Sequence, residues 1–467
     1  MFLFNWSKNQ FLNTFWRTKC HHKIIALICL AQRLHLKYCA TFIVFIKNLL
    51  TDENFVNRHK KDQADFTRNR TLPFFKVVTF LCNLLRSSLQ NELDRFFQAL
   101  SKTDVAEREV TASAFCQARQ KLKPEAFIEL THQSNDYFYK NFSVVRWHGF
   151  RILAVDGSTG RVPKNDETEA YFGVWHPAAG GTCPVARVSQ MFDVLNHLTV
   201  DAKIAPKDQG ERELASQHFD HLGPEDLALL DSGYPAFWVF QRIRQQQAHF
   251  CARLAVETWS KLTAAFLQSG LKETIVELKP WHEARKQCEE KGLPTTPFAI
   301  RLLRIDRDGG EVIVLATDLL DTQLYPYELF NELYRERWPV EESYKLWKTR
   351  IEIENFTGKS VEAIQQDFHA RVFMSNVTAI LAHPVHEQII AKHQDSNHDY
   401  KINWTQALAK MRASAIILFF RENLMPLIRQ LQKLFLADNS VIRPGRKFPR
   451  KPRLNKKTYA FAYKPIS

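Results

Sequence analysis

The chain has 467 residues, 45% hydrophobic and 24% charged, enough for two to four domains with a core that needs no disulfides, and not the composition of a chain disordered throughout. Its 64 Lys and Arg outnumber 50 Asp and Glu for a formal charge of +14, which points to an anionic partner, nucleic acid ahead of a membrane surface. The charge is divided into +7 over residues 1–50, −6 over residues 51–400 and +13 over residues 401–467, which argues against a uniformly coated DNA-packaging protein.

At the N-terminus, Ile24–Ala31 and Tyr38–Ile46 are apolar runs near Lys19 and Lys23. Both fall short of the roughly 20 residues that cross a bilayer, and no small-residue cleavage site follows. They are expected to form amphipathic helices or an extension poorly coupled to the rest. From Phe66 to about Tyr139 the pattern is helical, with apolar residues at three- and four-residue steps through Phe74, Val78, Leu81 and Leu85 and again through Leu93, Phe97 and Leu100. Ile152–Val155 reads as a buried strand running into a turn at Asp156-Gly157-Ser158-Thr159. Val185–Asn196 and His197–Ile204 read as a hairpin, and Glu211–Leu222 as a helix. Leu227–Leu230 reads as a second buried strand, ending in Asp231-Ser232-Gly233-Tyr234, before a helix over Ala236–Gln247. Strands are expected at Thr274–Leu278, Phe298–Ile305 and Glu311–Ala316. A long helical region runs from near Tyr327 to about His383, and the rest is helical to Ala437. His383, His386, His393 and His398 are irregularly spaced and read as an exposed loop. Eight scattered cysteines without a CxxC pair suit reduced thiols better than a disulfide framework or a zinc site.

Two strands thus carry aspartates at their ends, Asp156 and Asp231, where α/β sheets build active sites; each alone is also an ordinary turn or cap residue. Tyr334, Arg337, Glu341 and Lys348 follow at offsets of 0, 3, 7 and 14. At about 100° per residue they share one narrow helical stripe, which by itself also fits a solvated salt-bridged face. Pro339 inside the run removes a helix hydrogen bond, so the helix either kinks there or starts anew with Pro in its first turn.

Tyr-x2-Arg-x3-Glu-x6-Lys resembles, without a gap, the signature of the IS-4 family of bacterial insertion-sequence transposases. Leu333–Trp338, Glu341–Lys348 and Glu354–Ser360 are similar to the same family, as are Val155–Thr159 and Asp231–Tyr234 to its two aspartate motifs. Phe66–Arg68 and Ala112–Arg119 resemble its N-terminal helices, and the likeness spans roughly residues 65–455. The resemblance implies an α/β fold with an RNase H-like catalytic core, a mixed sheet flanked by helices. It implies a β-rich insertion subdomain and helical N- and C-terminal regions. The division expected is residues 1–64 as a basic extension outside the resemblance, 65–147 as a helical DNA-binding domain and 148–250 as the first part of the core. Residues 251–322 form the insertion, 323–385 the core helix with the signature, 386–440 a helical region and 441–467 a basic tail.

The resemblance further implies a DNA transposase that cuts at terminal inverted repeats and joins the released 3′ end to target DNA. Asp156, Asp231 and Glu341 would be the catalytic and metal-ligating triad for two Mg²⁺ ions, with Mn²⁺ as a substitute, because hard oxygen ligands suit such ions and paired ions serve phosphodiester cleavage. Tyr334, Arg337 and Lys348 would hold DNA phosphate. Trp259 or Trp281 is a candidate for stacking on a flipped base. Arg443, Arg446, Lys447, Arg450 and Lys451 belong to a tail with eight cations between residues 443 and 457, suited to sequence-independent phosphate neutralisation. The partners expected are double-stranded element ends and target DNA, bound by a dimer in a synaptic complex, with no membrane and no organic cofactor. The place of action expected is the bacterial cytoplasm, at the nucleoid. A metal-dependent nuclease without strand transfer and an inactive DNA-binding relative are the alternatives.

Overall fold

A computed structural model describes residues 21–68, 70–176, 182–307 and 310–443. Its centre is a nine-stranded mixed sheet. β1 (Arg151–Arg161) lies between β3 (Cys183–Asp193), which pairs with it antiparallel, and β5 (Asp226–Leu230), which pairs with it parallel. The short β2 (Val174–Trp175) and β4 (Leu198–Ala205) both pair with β3, and β6 (His249–Leu254) lies parallel to β5. The order β4-β3-β1-β5-β6, three antiparallel strands followed by two parallel ones, is the RNase H-like arrangement expected above.

The strand sequences explain this burial. Along β1, Ile152 and Ala154 point into one apolar cluster while Leu153 and Val155 point into another. Along β5, Leu227 and Leu229 alternate in the same way with Ala228 and Leu230. A strand covered on both faces has no polar side, so it reads as a continuous apolar run. One cluster is closed by helices Phe237–Gln245 and His282–Glu290, and the other by the long helix Val361–Lys392, which packs against β4 and helix Glu125–Asn141.

Beyond β6 the sheet continues antiparallel through β9 (Val312–Thr317), β8 (Phe298–Asp306) and β7 (Glu273–Leu278). The expected β-rich stretch is therefore an extension of the core sheet, with β6 as the shared strand.

Several expectations are corrected. β1 does not turn at Asp156 but runs on to Arg161, because β3 pairs with it from Leu153 to Arg161. The helical region expected from Tyr327 to His383 is broken into Leu329–Arg335, Trp338–Leu346 with Pro339 in its first turn, a π-turn over Trp347–Ile351, and Val361–Lys392. Pro339 has no N–H for the preceding turn, and Glu352 takes a left-handed backbone (φ 54°) that ends the π-turn. His383 and His386 lie on the long helix, and His393 caps it while stacking on Tyr400.

The N-terminal segment is not poorly coupled. In helix His21–Thr51, Cys39, Phe42, Ile43 and Ile46 have no exposed surface, and the helix packs on Val361–Lys392 and on helix Met425–Ala437. Among the described residues, no helix is long and apolar enough to cross a membrane.

Candidate active site

The parallel pairing of β1 with β5 ends at Val155 and Leu230. Asp156 and Asp231 are the next residue on each strand, so the sheet itself sets two carboxylates side by side. Asp231 is shaped further by its own turn: its Oδ1 accepts the Gly233 N–H at 2.9 Å. A Cβ at position 233 would stand 3.2 Å from that oxygen, which is why glycine follows two residues after the aspartate.

Glu341 is supplied by helix Trp338–Leu346, and that helix is fastened to the strands at several points. Tyr344 donates its hydroxyl to the Asp156 carbonyl at 2.8 Å. Buried Gln190 of β3, the residue paired with Asp156, donates to Ser343 Oγ at 2.5 Å. Lys348 Nζ donates to Ser158 Oγ at 2.7 Å, and the Tyr334 hydroxyl reaches the Leu230 carbonyl at 3.5 Å. All four signature residues therefore gather near the ends of these strands, although Tyr334 lies before the helix break, Arg337 caps the second helix and Lys348 lies beyond its end. Arg337 Nη2 donates to Glu341 Oε1 at 2.5 Å.

The electrostatics follow from this crowding. Burial pushes the Asp156 carboxyl up to about 6; the Gly157 N–H and Arg337 oppose the rise, while the charges of Asp231 and Glu341 add to it. Burial likewise pushes the Tyr334 phenol up to about 12, so it remains a hydrogen-bond donor at neutral pH. Hard oxygen donors, and a carboxyl whose charge is penalised by burial and then by its negative neighbours, suit divalent cations of the Mg²⁺ kind.

A cleft of about 580 Å³ opens beside Asp231, lined by Arg253, Arg307, Arg335 and Arg337 with Tyr334 and Trp338. Arg253 and Arg307 both pair with Glu311. Sequence reasoning had missed these two arginines, because β6 and the β8–β9 turn meet at the site only through the sheet. It had also missed Gln190, Ser343 and Tyr344 as anchors. The signal available was that Tyr344 follows Glu341 by one helical turn.

Trp259 is 5% exposed and packs edge-to-face on Trp281 with Phe240 nearby. It is a core residue, and a base reaches its ring only if this packing opens; Trp281 is 48% exposed. Arg443 is exposed at the end of the described chain, while Arg446, Lys447, Arg450 and Lys451 lie outside the described residues.

The chain is similar to known transposases. The family model "Transposase DDE domain" matches residues 147–377. The Escherichia coli transposase InsG for insertion sequence element IS4 is 26% identical over 261 residues, 55% of this chain and 58% of that protein. The Bacillus thuringiensis transposase for insertion sequence element IS231B is 19% identical over 305 residues, 54% of this chain and 61% of that protein. The chain thus spans about three-fifths of the length of these relatives. Among solved structures, a piggyBac transposase synaptic complex with hairpin DNA aligns with 84% of this chain and 85% of that chain, at 8% identity and a TM-score of 0.41.

Proposed function

The chain belongs to the DDE transposases of the IS4 family, and we propose that it cuts DNA at the ends of an insertion sequence and joins the freed ends to a new DNA site. The observation that carries this reading is the meeting of Asp156 and Asp231 one residue beyond the last register of the β1–β5 pair, with Glu341 on a helix hydrogen-bonded to β1.

Asp156, Asp231 and Glu341 would hold two Mg²⁺ ions. Bound ions of this kind activate the attacking hydroxyl and stabilise the departing oxyanion. The chain's own residues do the positioning. Arg337, released from Glu341, presents a forked guanidinium to the phosphate beside the cut. Lys348 reaches the same backbone from the Ser158 side of β1. The protonated Tyr334 donates a hydrogen bond without adding negative charge. Arg253 and Arg307 extend the cationic wall along the cleft, where the strand leading away from the cut would lie. After cleavage, the new 3′-hydroxyl attacks a second phosphodiester in the same site, forming a bond to its phosphorus as the target strand's own 3′-oxygen leaves and takes up a proton. Two element ends have to be paired for this, so a dimer assembled on double-stranded DNA in the bacterial cytoplasm completes the proposal. The basic tail would add salt-sensitive contacts without regard to sequence.

The test is a plasmid carrying the element's own flanking inverted repeats, incubated with the full chain and Mg²⁺. Excision with insertion into a second plasmid is the expected result. Cutting without joining favours a nuclease, and a mobility shift without cutting favours a DNA-binding protein. Asp156→Ala and Glu341→Gln should each lose cutting by at least 10³-fold, since a cation loses its ligand, while still shifting DNA. Unchanged cutting by both variants would overturn the triad.

A further inference from the structure

On the far side of the β3–β4 hairpin, three elements converge on one carboxylate. His132 comes from helix Glu125–Asn141, Asp201 from β4, and His221 from the 3₁₀ turn Phe219–His221 that follows helix Glu211–His218. Among the described residues this is the set of three whose ligand atoms, one from each residue, all lie within 4.8 Å of one another. We propose that His132, Asp201 and His221 form a second cation site, for one transition-metal ion of the Zn²⁺ class, which ties the N-terminal helical region to the core sheet.

The distances fit such an ion. His132 Nε2 is 3.4 Å from Asp201 Oδ1, and His221 Nε2 is 3.9 Å from Asp201 Oδ2. Donors around a tetrahedral zinc, bonded at about 2.0–2.1 Å, stand roughly 3.3 Å apart. The three ligand atoms, one from each residue, lie within 4.8 Å of one another, so closure on one ion needs movements of up to about 1.5 Å from side chains that have room to make them. The Asp201 side chain is 1% exposed, but those of His132 and His221 are 31% and 33% exposed. The two imidazoles already face each other, with ring centroids 4.6 Å apart.

The carboxylate is also held in place from behind. Its Oδ2 accepts His218 Nδ1 at 2.8 Å, and His218 Nε2 meets Ser189 Oγ at 2.9 Å. A buried partner that orients a ligand in this way is the usual support for a metal site. Lys203 Nζ also sits on Oδ2, at 3.2 Å. Its charge opposes a bound cation, and it lies on the oxygen that His221 faces, so an ion entering through Oδ1 beside His132 displaces it least.

The chemistry separates this site from the triad. Two imidazole nitrogens and one carboxylate oxygen suit Zn²⁺ and its neighbours, whereas the all-oxygen triad suits Mg²⁺. The ion would be a cross-link between elements rather than a participant in strand cleavage, with water in its fourth position.

The experiment titrates metal-free full-length protein with Co²⁺ as a visible probe, in excess Mg²⁺ so that the triad is occupied. One equivalent should bind with the strong ligand-field absorption of four-coordinate Co²⁺, and Zn²⁺ should displace it and raise the Tm. Asp156→Asn should leave the titration unchanged. His132→Gln and His221→Gln should each weaken it by more than the roughly 10–100-fold that loss of an outer partner costs. No saturable absorption in the unmodified chain overturns the proposal, and so does a titration that both histidine variants leave intact. Should those variants fail to fold, the unmodified chain decides: a Tm that Zn²⁺ does not move overturns the site.

Discussion

At Asp156 the function and the stability of the fold pull in opposite directions. The folded protein raises this carboxyl to about 6, above its ordinary value, chiefly by burial and then by the neighbouring carboxylates. A group raised in this direction stabilises the fold fully below its unfolded pKa, and the contribution is lost as pH rises through about 6. At pH 7 the ionised side chain is therefore a burden, on the order of 1–3 kcal/mol for a shift of this size. Metal-free Asp156→Asn protein should accordingly be more stable than the unmodified chain by that amount at pH 7 and no more stable near pH 4, as thermal melts at the two pH values can measure. Added Mg²⁺ should narrow the difference at pH 7 by stabilising only the protein that keeps its carboxylate. Equal melting of the two proteins at pH 7 would show that Asp156 is not crowded as described. The aspartates themselves were legible in the sequence because each follows a short apolar run. The Arg337–Glu341 contact was legible as a shared stripe, since Arg337 caps the helix that carries Glu341 and stands four residues before it.

Among the elements, the helix carrying Glu341 depends on anchors more than on its own propensity, since it is nine residues long with Pro339 in its first turn. Tyr344→Phe removes the hydroxyl that ties it to the Asp156 carbonyl. The expected cost is about 1–2 kcal/mol of stability in urea unfolding, with kcat for end cleavage reduced and the KM for DNA unchanged. A change in KM alone would argue that Tyr344 contacts DNA and does not position Glu341.

The loop after the π-turn is held by a second device. Arg119, 3% exposed at the end of helix Ala112–Arg119, donates to Gln366, Thr357, the Ala363 carbonyl and Asp367. Gly358 lies so close beneath it that a Cβ would stand 2.4 Å from the Ala363 Cβ and 3.2 Å from Arg119 Nη1. Arg119→Met leaves Asp367 buried without this partner and should cost about 3–5 kcal/mol in denaturant unfolding; a loss under 1 kcal/mol would contradict the clamp. This contact joins two short motifs, Ala112–Arg119 in the N-terminal helices and Glu354–Ser360 after the signature. They are 238 residues apart at Arg119 and Thr357 and join in one buried network.

For the whole molecule, the N-terminal helix changes the reading of the charge. Residues 1–50 carry +7, yet the described part of that helix buries Phe42, Ile43 and Ile46 completely. Its role in this structure is packing. Phe42→Ala should lower stability by about 3–5 kcal/mol, the usual cost of emptying a buried aromatic site, and the same urea unfolding series would read it. A loss below 1 kcal/mol would return the helix to the loosely attached extension that its sequence suggested. The sequence by itself determined which segments are strands buried on both faces, where carboxylates follow them, and which family's signature the helical stretch carries. These properties are local, set by side-chain period, turn chemistry and spacing along the chain. Only the tertiary structure decided that β7, β8 and β9 extend the core sheet, that Arg253 and Arg307 face the cleft, that Trp259 is buried, and that His132, Asp201 and His221 meet. Each of these depends on which distant strand or helix packs alongside, and that choice is made by the burial of whole faces together, which no local pattern encodes.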